Sequence, residues 1–224
     1  MKNDRYIFLV AHQRSGSHFL GYCIGQHPQI TYVDEITTLK SVEELHKQLK
    51  TEKDVLDLLE DKYGDIKTPM VLIDVKYEHI MPALEKVMKK SKVIHMFREN
   101  KLDTYYSALH SHYRREHKLG EYIEGGEVTD VKEKPEDPPM FLYEDDVVFH
   151  LIRNELMFRR KYGYLVGLTF SYEELTKNAL IKKLPDWAMK KICKFLKIEE
   201  CPMVARTIKM SPANVKYYFE GIKK

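Results

Sequence analysis

Short apolar runs alternate along the chain with longer stretches in which apolar residues recur at helical spacing. The runs predict buried strands, and the amphipathic stretches between them predict helices. The predicted strands are Tyr6–Val10, Ile30–Val33, Met70–Val75, Lys92–Phe97 and Leu165–Phe170. The predicted helices are Ser17–Gln26, Ser41–Leu49, Thr51–Tyr63, Pro82–Lys90, Asn100–His117, Tyr143–Tyr162, Tyr172–Asn178 and Asp186–Leu196.

Strands that alternate with helices predict an α/β fold with a mainly parallel central sheet and helices on both faces. The composition changes between Leu119 and Pro139, where the pair Gly125-Gly126, several acids and three prolines replace the helical pattern. We expect a mobile loop over residues 119–140. This loop does not indicate a domain boundary, and the chain has no internal repeat, so residues 1–224 are predicted to form one domain.

The bulk composition is that of a soluble globular protein, with 43% hydrophobic and 32% charged residues among 224. The net charge of +3 is too small to indicate nucleic-acid binding by itself. Three cysteines with no CxxC pair predict a reducing compartment, and we expect a cytoplasmic protein without a transmembrane segment. The ten histidines show no metal-ligand spacing, so no metal is expected.

The turn after the first predicted strand, His12–Phe19, contains the clearest chemical signal. A Gly/Ser turn that opens a helix collects backbone N–H groups, which suits a phosphate or a sulfate, and Arg14 adds a planar set of donors. In the Walker frame GxxxxGK[ST] only Gly16 fits, because Ser17 stands where the lysine would be and His18 where the hydroxyl residue would be. The turn therefore suits an anionic nucleotide but not Mg-ATP.

A second signal follows the predicted strand Lys92–Phe97. Arg98 lies at its carboxyl end, where parallel sheets bind ligands, and Ser107 lies in the next predicted helix. The two side chains could converge on one phosphate, with Arg98 supplying charge and Ser107 a hydroxyl. The alternative is a local pair of Arg98 with Asp103 or Glu99, with Ser107 on a solvated face.

Three segments of the chain resemble PAPS-dependent sulfotransferases, most closely the bacterial carbohydrate enzymes of the nodulation-factor and glycolipid type. They are Arg14–Ser17 after a strand, Arg98–Leu102 with Ser107, and Thr169–Leu175; a tail of Lys209–Pro212, Asn214 and Tyr217-Tyr218 fits in outline. The resemblance implies a P-loop-NTPase-like three-layer sandwich. It also implies PAPS as the sulfuryl donor, PAP as the product and no metal.

In that family the first loop holds the 5′-phosphosulfate of the donor, and the Arg/Ser pair holds its 3′-phosphate. The resemblance therefore implies that the donor is bound by Arg14, Ser15, Gly16, Ser17, His18, Arg98 and Ser107. His18 departs from the family, which usually has Thr or Ser at this position.

The acceptor hydroxyl needs a general base, and the resemblance implies that Glu35 fills this role. Family members often have Gly before this Glu. Here Asp34 precedes it, so either carboxylate could be the base. The alternative is that both are solvated turn residues.

Three further groups are candidates for the sulfuryl-transfer site. Lys76 resembles the Lys of a Lys-Tyr pair after the third strand, where it could neutralise the bridging oxygen, although it could equally reach water. Arg14 is expected to act in catalysis as well as in binding. His12 or His18 could donate to the sulfuryl oxygens.

Two other functions remain open at this stage: a small-molecule kinase with a degenerate loop, and a nonenzymatic nucleotide-binding protein. The expected acceptor is a glycan, a glycolipid or a small alcohol. Several aromatic residues could stack on adenine or a sugar, although such residues are more often part of the core. They are Tyr105-Tyr106, Tyr113, Tyr122 and Phe141.

Overall fold

Five parallel strands form the central sheet of the protein. The computed structural model describes residues 4–36, 42–116, 141–142, 145–177, 183–204 and 219–220. The strands are β1 (Tyr6–Ala11), β2 (Ile30–Glu35), β3 (Met70–Lys76), β4 (Lys92–Phe97), β5 (Phe141–Leu142), β6 (Leu168–Ser171) and β7 (Phe219–Glu220). The central sheet has the order β2-β3-β1-β4-β6, and β5 pairs separately with β7.

Helices cover both faces of this sheet. They are α1 (Ser17–Ile24), α2 (Val42–Gln48), α3 (Glu52–Tyr63), α4 (Pro82–Met88), α5 (Lys101–Glu116), α6 (Asp145–Tyr162), α7 (Tyr172–Thr176) and α8 (Asp186–Leu196). Side chains of β1 alternate between the faces, so that Phe8 and Val10 join a core with α3 and α4, while Ile7 and Leu9 join one with α1 and α8. The predicted mainly parallel, three-layer α/β architecture is confirmed.

Local sequence signals determine several element ends. Thr51 caps α3: its hydroxyl accepts from the backbone N–H of Asp54 at 3.2 Å, and the Asp54 carboxylate accepts from the N–H of Thr51 at 2.8 Å. The fifth predicted strand begins later than expected, at Leu168, because Gly163–Leu165 forms a 3₁₀ turn.

The strand order brings the predicted motifs to one edge of the sheet. β1 lies between β3 and β4, with Ala11 in register with Lys76 on one side and with Met96 on the other. The loop after β1, the end of β3 and the residue after β4 therefore meet at the carboxyl edge, where parallel sheets bind ligands. The register of β2 on β3 shifts between Val33 and Glu35, which sets Glu35 opposite Asp74.

Some predictions fall outside the described residues: the loop 119–140, the tail motif 209–218 and the side chains of Tyr113, Tyr122 and Phe141. Within the described part of the chain, no helix is long and apolar enough to cross a membrane.

Candidate functional site

The loop between β1 and α1 is a tight turn that leads directly into the helix. Arg14 and Gly16 both adopt left-handed conformations, with φ of 63° and 92°. The N–H of Ser15 donates to the carbonyl of His12 at 3.3 Å, and Gly16 is the N-cap of α1. The first-turn N–H groups of α1, which have no partner within the helix, can therefore serve an anion at the loop.

Gly16 also allows a close approach of Tyr172. A Cβ at position 16 would lie 2.4 Å from Cδ2 of that ring and 2.9 Å from Cε of Met96. The glycine is thus required both by its φ and by the ring above it. Tyr172, at the first position of α7, was not predicted as a site residue, since its contact with the loop is long-range.

Arg14 connects the first motif to the second. Its Nε donates to Oγ of Ser107 at 3.2 Å, across 93 residues of sequence. Ser107 is buried on α5, so the alternative of a solvated serine does not hold. Two of the predicted donor-binding residues therefore contact each other.

Arg98 is buried directly after β4 and pairs locally. Its Nη2 donates to Oδ2 of Asp103 at 3.0 Å, and Nη1 donates to the backbone carbonyl of the same residue at 3.3 Å. The guanidinium carbon lies 4.9 Å from the centre of the Tyr172 ring. Its buried Nε makes no hydrogen bond to any residue that the structure describes, and it lies 3.8 Å from Oε1 of Glu173. Of the two local partners predicted for Arg98, Asp103 and Glu99, the structure shows the pair with Asp103.

The Glu173 carboxylate occupies the start of α5. It accepts hydrogen bonds from the backbone N–H groups of Glu99 at 2.9 Å and Asn100 at 3.2 Å. A carboxylate at this position is favoured by the helix dipole. The capping box at Ser171 indicates that α7 starts at Tyr172. It does not indicate that the side chain of Glu173 contacts the start of a different helix, α5.

Lys76 is buried at the end of β3, so it does not reach water. Its Nζ donates to Oγ of Ser17 at 2.8 Å and to Oδ1 and Oδ2 of Asp74 at 2.9 and 2.8 Å, and it lies 3.3 Å from Oε1 of Glu35. Burial by itself would lower the pKa of Lys76, but the charges of Asp74 and Glu35 outweigh it and raise the pKa. The ammonium is therefore charged.

Glu35 faces this ammonium, while Asp34 faces solvent. The pKa of Glu35 would rise through burial, but the hydrogen bond with His18 and the charge of Lys76 lower it to about 2. His18 Nε2 lies 3.3 Å from Oδ1 of Asp34, 3.8 Å from Oδ2 of Asp74 and 4.0 Å from Oε1 of Glu35. The shifted β2 register selects Glu35 as the carboxylate next to Lys76.

The remaining candidates lie further from this cluster or belong to the core. The His12 ring contacts Tyr77 edge-on at 5.9 Å, and its Nδ1 lies 2.9 Å from the carbonyl oxygen of Gln13. Tyr105 and Tyr106 are buried with α6 side chains, as core residues are. Among the described residues, no group of three or more His, Cys, Asp or Glu side chains forms a metal site.

No protein-family model matches this chain, and no curated protein matches it. Among solved structures, the mouse sulfotransferase SULT7A1 complexed with PAP is 23% identical, with a TM-score of 0.48 over 88% of this chain and 60% of that one. Shikimate kinase from Bacteroides thetaiotaomicron is 14% identical, with a TM-score of 0.45 over 87% of this chain and 99% of that one. A retinol dehydratase in complex with androsterone and inactive cofactor PAP is 14% identical, with a TM-score of 0.40 over 87% and 59%.

The chain therefore spans less than two thirds of the length of both PAP complexes. With TM-scores below 0.5, none of these likenesses shows an activity for this chain; the residues at the carboxyl edge of the sheet carry its chemistry.

Proposed function

We propose that this protein is a PAPS-dependent sulfotransferase, which transfers a sulfuryl group from PAPS to a hydroxyl of an acceptor. The observation that carries the proposal is the hydrogen bond between Arg14 Nε and Ser107 Oγ, at 3.2 Å. It joins the loop after β1 to α5, the helix that follows Arg98, and this contact supports a single ligand for the two motifs that are predicted to bind anions. A ligand with a phosphate at each end of a nucleoside suits such a pair.

The donor would be bound from both sides. The loop residues Ser15, Gly16, Ser17 and His18 hold the 5′-phosphosulfate through backbone N–H groups at the start of α1. Arg98 and Ser107 hold the 3′-phosphate. The contacts of Arg98 with Asp103 and Tyr172 fix the orientation of its guanidinium group. Arg98 retains an Nε–H that makes no hydrogen bond within the described residues and can donate to that phosphate.

The reaction is an in-line displacement at sulfur. The acceptor oxygen forms a bond to sulfur while the bond from sulfur to the bridging phosphate oxygen breaks, and PAP leaves with the bonding electron pair. Glu35 receives the acceptor proton. Lys76 and Arg14 offset the charge that develops on the bridging and sulfuryl oxygens, so most of the acceleration comes from positioning and charge stabilisation.

For the acceptor we propose a carbohydrate or glycolipid hydroxyl, which the motifs shared with the bacterial carbohydrate enzymes favour over a small alcohol. We also propose that the protein acts in the reducing cytoplasm. All three of its cysteines, Cys23, Cys193 and Cys201, are free thiols, which supports that location.

The test is turnover of ³⁵S-labelled PAPS against a panel of glycans, glycolipids and small alcohols, combined with thermal-shift measurements. We expect PAP to raise the Tm by mass action and Mg-ATP to leave it unchanged. A rise with Mg-ATP alone would instead support the kinase, and a rise with PAP without sulfuryl transfer would support a nonenzymatic binder.

A further inference from the structure

Asp74 is a fully buried carboxylate that the proposed reaction does not yet use. It lies two residues before Lys76 on β3, so both side chains project from the same face of a strand that is otherwise apolar. A buried charge is strongly unfavourable unless it is paired. Both oxygens of Asp74 contact the Lys76 ammonium, and the Tyr32 hydroxyl lies 3.4 Å from Oδ2.

The ammonium of Lys76 has three N–H donors, and three groups surround it. Asp74 contacts it through two oxygens at 2.8 and 2.9 Å, and Ser17 Oγ lies at 2.8 Å. Glu35 contacts it through one oxygen at 3.3 Å. Lys76 can therefore donate to a sulfuryl oxygen only if one of these partners is exchanged.

Glu35 is the partner most readily exchanged. It makes the longest contact, and its side chain is 25% exposed, whereas that of Asp74 is 0% exposed. Ser17 lies in the loop that is proposed to bind the sulfuryl group and contacts the same ammonium, so an anion bound there adds a second negative charge beside Glu35. Asp74 is fully buried, so moving it away from Lys76 would leave a buried carboxylate without its counter-charge.

We propose that Asp74 is a positioning residue that anchors the Lys76 ammonium below the loop, and that Glu35 is the partner that Lys76 releases when the sulfuryl group enters. This inference rests on the proposed sulfuryl transfer. Donor binding then does two things at once: it supplies Lys76 with a sulfuryl oxygen, and it turns the Glu35 carboxylate toward the acceptor hydroxyl, whose proton it takes.

The electrostatics of Glu35 agree with this exchange. Its pKa of about 2 in the unliganded protein makes it a weak base, and the Lys76 charge is among the causes of that low value. The other charged or titratable groups near Glu35 are His18, His79, Asp34 and Asp74. Loss of the Lys76 contact raises the pKa of Glu35 toward the ordinary carboxyl range, which makes it a better base.

The experiment is a double-mutant cycle with D74N, K76M and D74N/K76M, and with D57N on the exposed face of α3 as the matched control. Turnover of labelled PAPS is measured with the best acceptor of the panel, or with water where none is found, and PAP affinity is measured by calorimetry. If Asp74 acts through Lys76, D74N lowers kcat by about 10²-fold, and the double variant is no slower than K76M. PAP affinity stays within about threefold of wild type.

The proposal would be overturned if the kcat losses of D74N and K76M multiply in the double variant, or if D74N turns over labelled PAPS as fast as D57N. If D74N does not fold, the wild-type protein supplies the second test through ¹³C NMR of its carboxyl groups. With saturating PAPS the titration midpoint of Glu35 should rise while the Asp74 signal stays in place, and an unmoved Glu35 signal would refute the exchange. A wild-type protein that neither binds PAP nor consumes PAPS instead refutes the proposed function, and this inference with it.

Discussion

Replacing Gly16 by alanine tests whether the loop geometry supports binding. Gly16 has a φ of 92°, and a Cβ there would lie 2.4 Å from Cδ2 of Tyr172. The Met96 methyl, 2.9 Å from the same Cβ, is the end of a flexible side chain and can move at small cost. The Tyr172 ring packs against the Arg98 guanidinium at 4.9 Å, so its displacement disturbs the proposed 3′-phosphate site.

The expected loss of stability is the sum of two contributions. A non-glycine residue in the left-handed region costs about 1–2 kcal/mol, and a side chain inserted into a packed region costs about 1–3 kcal/mol. We therefore expect Gly16→Ala to lower the free energy of unfolding by about 2–5 kcal/mol and to weaken PAP binding by about tenfold or more.

The assay is urea unfolding followed by circular dichroism, with calorimetric PAP titration of the folded variant. Gly163→Ala is the matched control, because an added Cβ there has no neighbour within 4 Å. The control should stay within about 0.5 kcal/mol of wild type. If Gly16→Ala unfolds at the same urea concentration as Gly163→Ala and binds PAP equally well, the steric role of Gly16 is refuted.

Three further predictions concern Glu35 and the helix cap. Glu35→Gln should lower kcat by about 10²–10⁴-fold with PAP affinity nearly intact, and unchanged turnover of labelled PAPS would remove this residue from the mechanism. The pKa of Glu35 falls from 4.5 to about 2 on folding, so its ionised carboxylate contributes about 3 kcal/mol to the free energy of unfolding. This contribution is fully present above pH 4.5 and is lost as the pH falls to 2. Urea unfolding of wild type across that range should show this slope, and Glu35→Gln should flatten it; equal slopes would contradict the assignment. Thr51→Ala should cost about 1 kcal/mol of unfolding free energy, measured in the same way, and a loss below about 0.3 kcal/mol would show that the cap does not matter.

The architecture could be predicted from the sequence because its signals are local. The apolar run Tyr6–Ala11, the Gly/Ser turn and the Thr51 cap each act within a few residues, and the structure has the corresponding elements with small shifts at their ends. Alternation of strands and helices then determines a parallel sheet covered on both faces.

The site could be predicted only in part, because its contacts are long-range. A pattern shows that Lys76 ends a strand, but not that Ser17, 59 residues away, receives its hydrogen bond. The inward position of Glu35 follows from a register shift on β2, which no local signal indicates. The ion pair of Asp74 with Lys76 could have been predicted, since two opposite charges at positions i and i+2 of a buried strand each need a partner.

Calorimetry with PAP and with 5′-AMP examines whether two cationic motifs bind opposite ends of one ligand. Two charge-assisted hydrogen bonds to the 3′-phosphate, from Arg98 and Ser107, should make PAP bind at least about 10²-fold more tightly than AMP. Arg98→Met should reduce that difference by at least about tenfold while AMP affinity stays the same. If the wild-type protein gives no heat with PAP, or binds PAP and AMP equally, the proposed donor site is contradicted.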